Sequence, residues 1–220
     1  MKKVVLVLFA VAGFTGVKAQ NVSFGPIAGF NHSWITGTSQ SDREFNAGFT
    51  VGARLTYSID PHWAIGADAV FSNEGFRAKN MISQTQFTNN TDLNYIRIPL
   101  KATYFFGELG DKLRPKLYLG PSLGFLVGGK TELETRNMTT GATINTKTNS
   151  RDNYKSFDAG AIIGTGFNYR IGSSTWLNFD LSYTNGFMDI SKSVSTWNSN
   201  RNFGVGLGVT FPIGTITPEK

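Results

Sequence analysis

Along residues 93–106 the side chains alternate with a period of two. Ile96, Ile98, Leu100, Ala102, Tyr104 and Phe106 form one apolar face, and Tyr95, Arg97, Pro99, Lys101 and Thr103 form the other. That period belongs to a β-strand with two unlike faces. In a soluble sheet the apolar face covers a core and the cations meet water. In a membrane barrel the apolar face meets lipid and the cations point into a lumen. The same alternation recurs over 22–34, 45–57, 62–76, 115–128, 154–170, 175–189 and 202–211. Each stretch sets Phe, Leu, Val, Ala, Tyr or Trp against Gly, Ser, Thr, Asn and isolated charges.

The breaks between these stretches decide between the two settings. They run long at 35–44, 79–90, 130–153 and 190–199, and short at 58–61, 107–114 and 171–174. Long external loops alternating with short periplasmic turns are the rule in outer-membrane barrels. The pattern predicts an all-β fold, an eight-stranded antiparallel transmembrane β-barrel of up-and-down meander type with both termini periplasmic. The Gly-, Ser-, Thr- and Asn-rich face suits a narrow lumen filled by side chains. A soluble sandwich would carry more Lys and Glu there, and a lipocalin-like barrel would turn the apolar face inward. Break 130–153 is rich in Thr and Asn, with 131–136 able to extend a strand. A closed barrel has no free edge, so Pro99 predicts a bulge or a missing ladder bond.

Composition changes this picture in few places. The 220 residues suffice for one all-β domain, and only 16% are charged. Beyond the N-terminus no apolar run is long enough for a helical span. The slightly negative mean hydropathy is what alternation produces. Lys2 and Lys3, the apolar stretch 4–17 and Val17-Lys18-Ala19 read as a signal peptide over 1–19, cleaved before Gln20, with 20–220 as the barrel domain. Cleavage removes three lysines from a chain of formal charge +6, so basicity is a poor argument for nucleic acid. There is no cysteine, and export does not bring disulfides. Trp34, Tyr57, Trp63, Tyr104, Phe106, Tyr169 and Trp176 fall near predicted strand ends, where amphipathic rings prefer the membrane interfaces.

The polar faces carry Arg54, Asp68, Arg97, Lys101, Lys116, Asp158, Arg170 and Asp180. They read as a structural charge network in the lumen, with the three aspartates as the available anions, because unpaired buried charge is costly. A selectivity or proton-linked path is the alternative role. His32 shares the lipid-side face with Phe30 and Trp34, away from Ser33, and His62 adjoins a turn. No catalytic, cofactor or metal site is expected from two distant histidines, no cysteine and no calcium-type loop. Gly204-Val205-Gly206 belongs to an alternating strand, not to a nucleotide loop.

LNYIRIPLKATYFF resembles a conserved strand of the PorT-like outer-membrane β-barrel proteins of the Bacteroidetes. Leu93, Tyr95, Ile98, Pro99 and Leu100 match it, and Arg97 replaces the acidic residue that the family often places before Ile-Pro. The next strand, KLYLGPSLGFLVGG, is similar through Gly120-Pro121-Ser122. FDAGAIIGTGF and WLNFDLSYTNGFMDI are similar to the sixth and seventh strands. The resemblance implies an exported barrel of the outer membrane. The expected role is non-enzymatic, structural or surface-interacting. A narrow porin-like channel and an accessory of a secretion apparatus are the alternatives. Expected partners are outer-membrane lipid and lipopolysaccharide, the barrel-assembly machinery through the closing strand 203–211, and an unidentified protein through loop 130–153.

Overall fold

Period-two segments become strands because each can bury one face only, and neighbouring strands supply the backbone partners. A computed structural model describes residues 22–36, 42–108, 110–172, 174–193 and 197–213. The expected signal peptide 1–19, its expected cleavage point and the tail 214–220 lie outside the described residues. The strands are β1 (Val22–Ile35), β2 (Arg43–Glu44), β3 (Ala47–Ser58), β4 (Trp63–Ile82), β5 (Thr85–Phe105) and β6 (Leu113–Gly128). There follow β7 (Lys130–Asn137), β8 (Thr143–Asn149), the one-turn helix α1 (Ser150–Asn153), β9 (Phe157–Arg170), β10 (Trp176–Gly186) and β11 (Asn200–Pro212).

Eight of these strands close on themselves. The circuit runs β1–β3–β4–β5–β6–β9–β10–β11, and β11 pairs back to β1, every pair antiparallel. Strands β2, β7 and β8 stand outside it: β2 pairs with β4, and β7 and β8 continue from β5 beyond the barrel wall. Phe30, Phe49, Ile65, Leu100, Leu119, Ile163 and Leu207 are exposed on the outer face. Their strand neighbours Asn31, Arg54, Ala64, Lys116, Tyr118 and Ile162 are buried inside.

Two breaks are not loops. Over 79–90 strands β4 and β5 run on as one hairpin, pairing Lys79 with Thr88 and Ile82 with Thr85, with Ser83 left-handed (φ 55°) at the tip. The 130–153 break contains the β7–β8 hairpin and α1. Both stretches lack apolar alternation because they project past the barrel rim and carry no lipid-facing side. Their Thr-rich composition still favours extended backbone.

The prolines interrupt the ladder without moving it. Between β4 and β5 the pairing passes from Ala67–Leu100 to Val70–Arg97, skipping Ile98 and Pro99 in unchanged register. The missing ladder bond expected at Pro99 is therefore there. Pro121 and Pro26 do the same: β5–β6 skips from Ala102–Leu119 to Pro99–Ser122, and β1–β11 from Phe24–Phe211 to Ile27–Gly208. Each of these two prolines follows a glycine. The neighbouring carbonyls of Leu100 and Val209 come so close that a Cβ on Gly120 or Gly25 would lie 1.8 or 1.7 Å from them. A glycine Cα–H facing a carbonyl replaces part of the lost amide bond. Gly120→Ala must push β5 away from β6, and the expected cost is about 1–3 kcal/mol, read from urea midpoints in lipid vesicles. An unchanged midpoint would show that the close approach is dispensable.

Candidate functional site

The lumen is organised as two charge clusters and an apolar lid. Nearest the short turns, Arg54 on β3 grips Asp68 on β4 through Nε (2.8 Å) and Nη2 (3.0 Å), and Asp180 on β10 through Nη1 (2.7 Å). Lys116 on β6 forms an ion pair with Asp180 (2.9 Å) and donates to Asn168 (2.8 Å). Lys101 on β5 donates to Asp68, and its Nζ stands 4.8 Å from the ring centre of Tyr118.

Deeper toward the long loops, Arg97 on β5 donates through Nε and Nη2 (2.6 Å) to Glu74 on β4, and through Nη2 to Asp158 on β9 (2.8 Å). Ser72 (2.8 Å) and Asn200 also donate to Glu74, which is 0% exposed. The register places the partners by one rule. Lys116 pairs with Gly166, which pairs with Asp180, and Arg97 pairs with Gly124, which pairs with Asp158. A glycine between cation and anion leaves the inner surface low enough for the long side chain to cross one strand. A Cβ on Gly124 would sit 2.8 Å from Arg97 Nη1.

Seven of the eight residues expected in the lumen network join these clusters. Arg170 does not. It is the last residue of β9, so its side chain leaves the lumen at the short-turn rim, donates to the Gly110 carbonyl (2.8 Å) and lies 5.9 Å from the ring centre of Trp176. The expectation that only aspartates balance the cations is also corrected by Glu74. It shares strand parity with Asp68 and Ser72, and that parity was the available signal.

Above the second cluster Ile35, Phe76, Leu93, Tyr95, Leu126 and Ile190 pack together inside the barrel, with Ala78 and Tyr154 against them. Ile190 comes from the β10–β11 connection, which Asp189 organises. Its carboxylate accepts the amides of Asn198 (3.0 Å) and Ser191 (3.1 Å) and Lys155 Nζ (3.0 Å). The Asn198 amide, then Lys155, hold the Asp189 carboxyl below the usual carboxylate range. A depressed folded value means that the stabilisation is complete above the ordinary value of about 4 and is lost as pH falls through the folded value. Exchange of the Ser191 and Asn198 amides, relative to intrinsic rates, is expected to accelerate only in acid. In Asp189→Asn that acid step should vanish, and its persistence would assign the step to another group.

Outside the lumen, His32 points away from Ser33. It stacks on Trp34 and Phe45 at 5.2 and 4.6 Å, and its Nδ1 accepts the Asn46 amide (3.2 Å). Ser33 faces inward and accepts from the Asn46 side chain. At the other end His62, Trp63, Tyr104 and Phe106 form a chain of ring contacts 5.1–5.8 Å apart. Among the described residues no group of three or more His, Cys, Asp or Glu side chains is placed to hold a metal ion.

A closed, edge-free antiparallel barrel with apolar side chains outside and paired charges inside defines an integral β-barrel of the outer-membrane class. Residues 9–192 match the family model of the outer membrane protein beta-barrel domain, and the chain belongs to that family. Membership places it in the outer membrane. No curated protein matches the chain. Among solved structures it is similar to Neisserial surface protein A, at 14% identity and a TM-score of 0.50, over 88% of this chain and 97% of that one. It is also similar to OprG of Pseudomonas aeruginosa (13%, TM-score 0.47, 87% and 96%) and to outer membrane protein W of E. coli (17%, TM-score 0.42, 88% and 99%). At this identity the likeness to Neisserial surface protein A speaks to the fold alone.

Proposed function

We propose that the chain is a non-enzymatic outer-membrane barrel whose role is interaction at the cell surface, with the β7–β8 extension as its contact element. One observation carries this reading. All seven residues of β8 are exposed, and among the described residues its outer edge pairs with no strand. An exposed edge is a template for an added strand. In this reading the short turns are periplasmic, the long loops are external, and residues 1–19 are removed on export. The matches at Leu93, Tyr95, Ile98, Pro99 and Leu100 support a position near the PorT-like branch.

The test is photo-crosslinking in cells from Thr146, at the middle of β8, with Thr103 inside the lumen as control. A discrete adduct from Thr146 alone is expected, and its loss on deleting 131–149 should leave heat-modifiable gel migration intact. Equal labelling from both positions, or none from Thr146, would remove the surface role. The clusters and lid fill the lumen, which supports a non-conducting barrel. Discrete conductance steps in planar bilayers would favour the channel alternative.

A further inference from the structure

At the short-turn end the lumen opens into a vestibule of about 480 Å³. Its inner wall is the first charge cluster, in which three buried cations, Arg54, Lys101 and Lys116, face two carboxylates, Asp68 and Asp180. Taken alone, this cluster holds one positive charge more than its own anions balance, while the second cluster, Arg97 with Glu74 and Asp158, holds the opposite excess deeper in the lumen. At the rim Arg114 adds a fourth cation and Asp60 a third carboxylate. Arg114 is 7% exposed, Nη2 donates to the Pro61 carbonyl, and the guanidinium lies 4.7 Å from the ring centre of Phe105. Its Nε is buried without a hydrogen-bond partner, and Arg114 forms no ion pair among the described residues, although Asp111 and Glu108 act on it at longer range. Donors remain free on the same wall. Lys101 Nζ makes one hydrogen bond, to Asp68, and Lys116 Nζ makes one, to Asn168, beside its ion pair with Asp180, where an ammonium has three N–H groups.

Excess buried charge is costly until it is paired. An anion entering the vestibule pairs it and receives charge-assisted hydrogen bonds, which are the stronger kind. The low-dielectric walls strengthen the attraction. We infer that the vestibule is a binding site for a small oxyanion, a carboxylate or phosphate group, held by Lys101 Nζ, Lys116 Nζ and Arg114 Nε. The site sits at the opposite end of the molecule from β8 and is independent of the surface role.

The test uses the mature chain in a maltoside detergent, titrated calorimetrically with inorganic phosphate at constant ionic strength. Saturable one-to-one binding is expected. Lys101→Met, which leaves the inner cluster neutral, and Arg114→Met, which touches no ion pair, should each lower the association constant by roughly tenfold or more. Heat-modifiable migration establishes that both variants are folded. Absence of saturable heat in the unaltered protein, or an affinity unchanged from the unaltered protein in both folded variants, would overturn the site. A soluble short-chain phosphatidate separates the sources: displacement of phosphate identifies a lipid headgroup, and failure to displace identifies a free solute, each on a working site.

Discussion

Arg97→Leu is expected to destabilise the barrel by about 3–5 kcal/mol. The guanidinium is the shared partner of Glu74 and Asp158, both buried, and its removal leaves two carboxylates facing each other without a cation. Glu74 keeps Ser72 and Asn200 as neutral donors, which offset only part of that loss. The measurement is equilibrium unfolding by urea in lipid vesicles. Replacing Glu74, Arg97 and Asp158 together by apolar residues should restore most of the stability, because a whole buried ion cluster contributes far less than breaking it costs. If Arg97→Leu unfolds at the same urea concentration as the unaltered chain, the second cluster is not a structural element. If the triple variant is worse than the single one, the cluster contributes packing that leucines cannot supply.

The second large effect belongs to the outer face. Leu119 is 62% exposed, lies mid-strand on β6, and has Ala102 and Ile163 as ladder neighbours. Leu119→Arg places a cation in the hydrocarbon and should cost roughly 2–4 kcal/mol in the same assay. A glutamate at the neighbouring inward position 118 would meet Lys101 and Arg54 instead of lipid, so the contrast between a charge at each of two adjacent positions reports the membrane directly. A neutral outcome at 119 would mean that this face is covered by water or protein. The sign matters more than the size, since on a water-facing strand such a change lies within about 0.5 kcal/mol.

Most of the barrel was legible because lipid on one side and a packed lumen on the other impose period two on every strand. The direction of Arg97 and Lys101 followed from parity alone. Legibility failed where that asymmetry ends. The hairpin continuing β4 and β5 and the β7–β8 hairpin project past the rim, so apolar alternation disappears and only the β-branched threonines hint at strands. Glu74 was overlooked although parity placed it inside. It directly precedes Gly75, whose φ of 129° marks where the strand bends away from its regular course. Five cations facing three aspartates also pointed to a missing anion. Arg170 shows the reverse error, because correct parity at a terminal residue does not hold a long side chain in the lumen. The lid was hidden for another reason. Leu93, Tyr95 and Leu126 are apolar residues on polar faces, and only Ile190, delivered by a distant connection, turns them into a core.

The free edge of β8 also fixes a depth. Bare N–H and C=O groups cannot sit in hydrocarbon, where each would cost several kcal/mol. Within the barrel wall every strand has partners on both sides, and free edges begin only where β4, β7 and β8 run past it. The outer boundary of the bilayer therefore lies below residues 143–149 and near Gly129, whose φ of 135° joins β6 to β7. That glycine works as a waterline on the molecule. Spin labels placed on the two sides of it should differ in their access to lipid-dissolved oxygen and to a water-soluble relaxant.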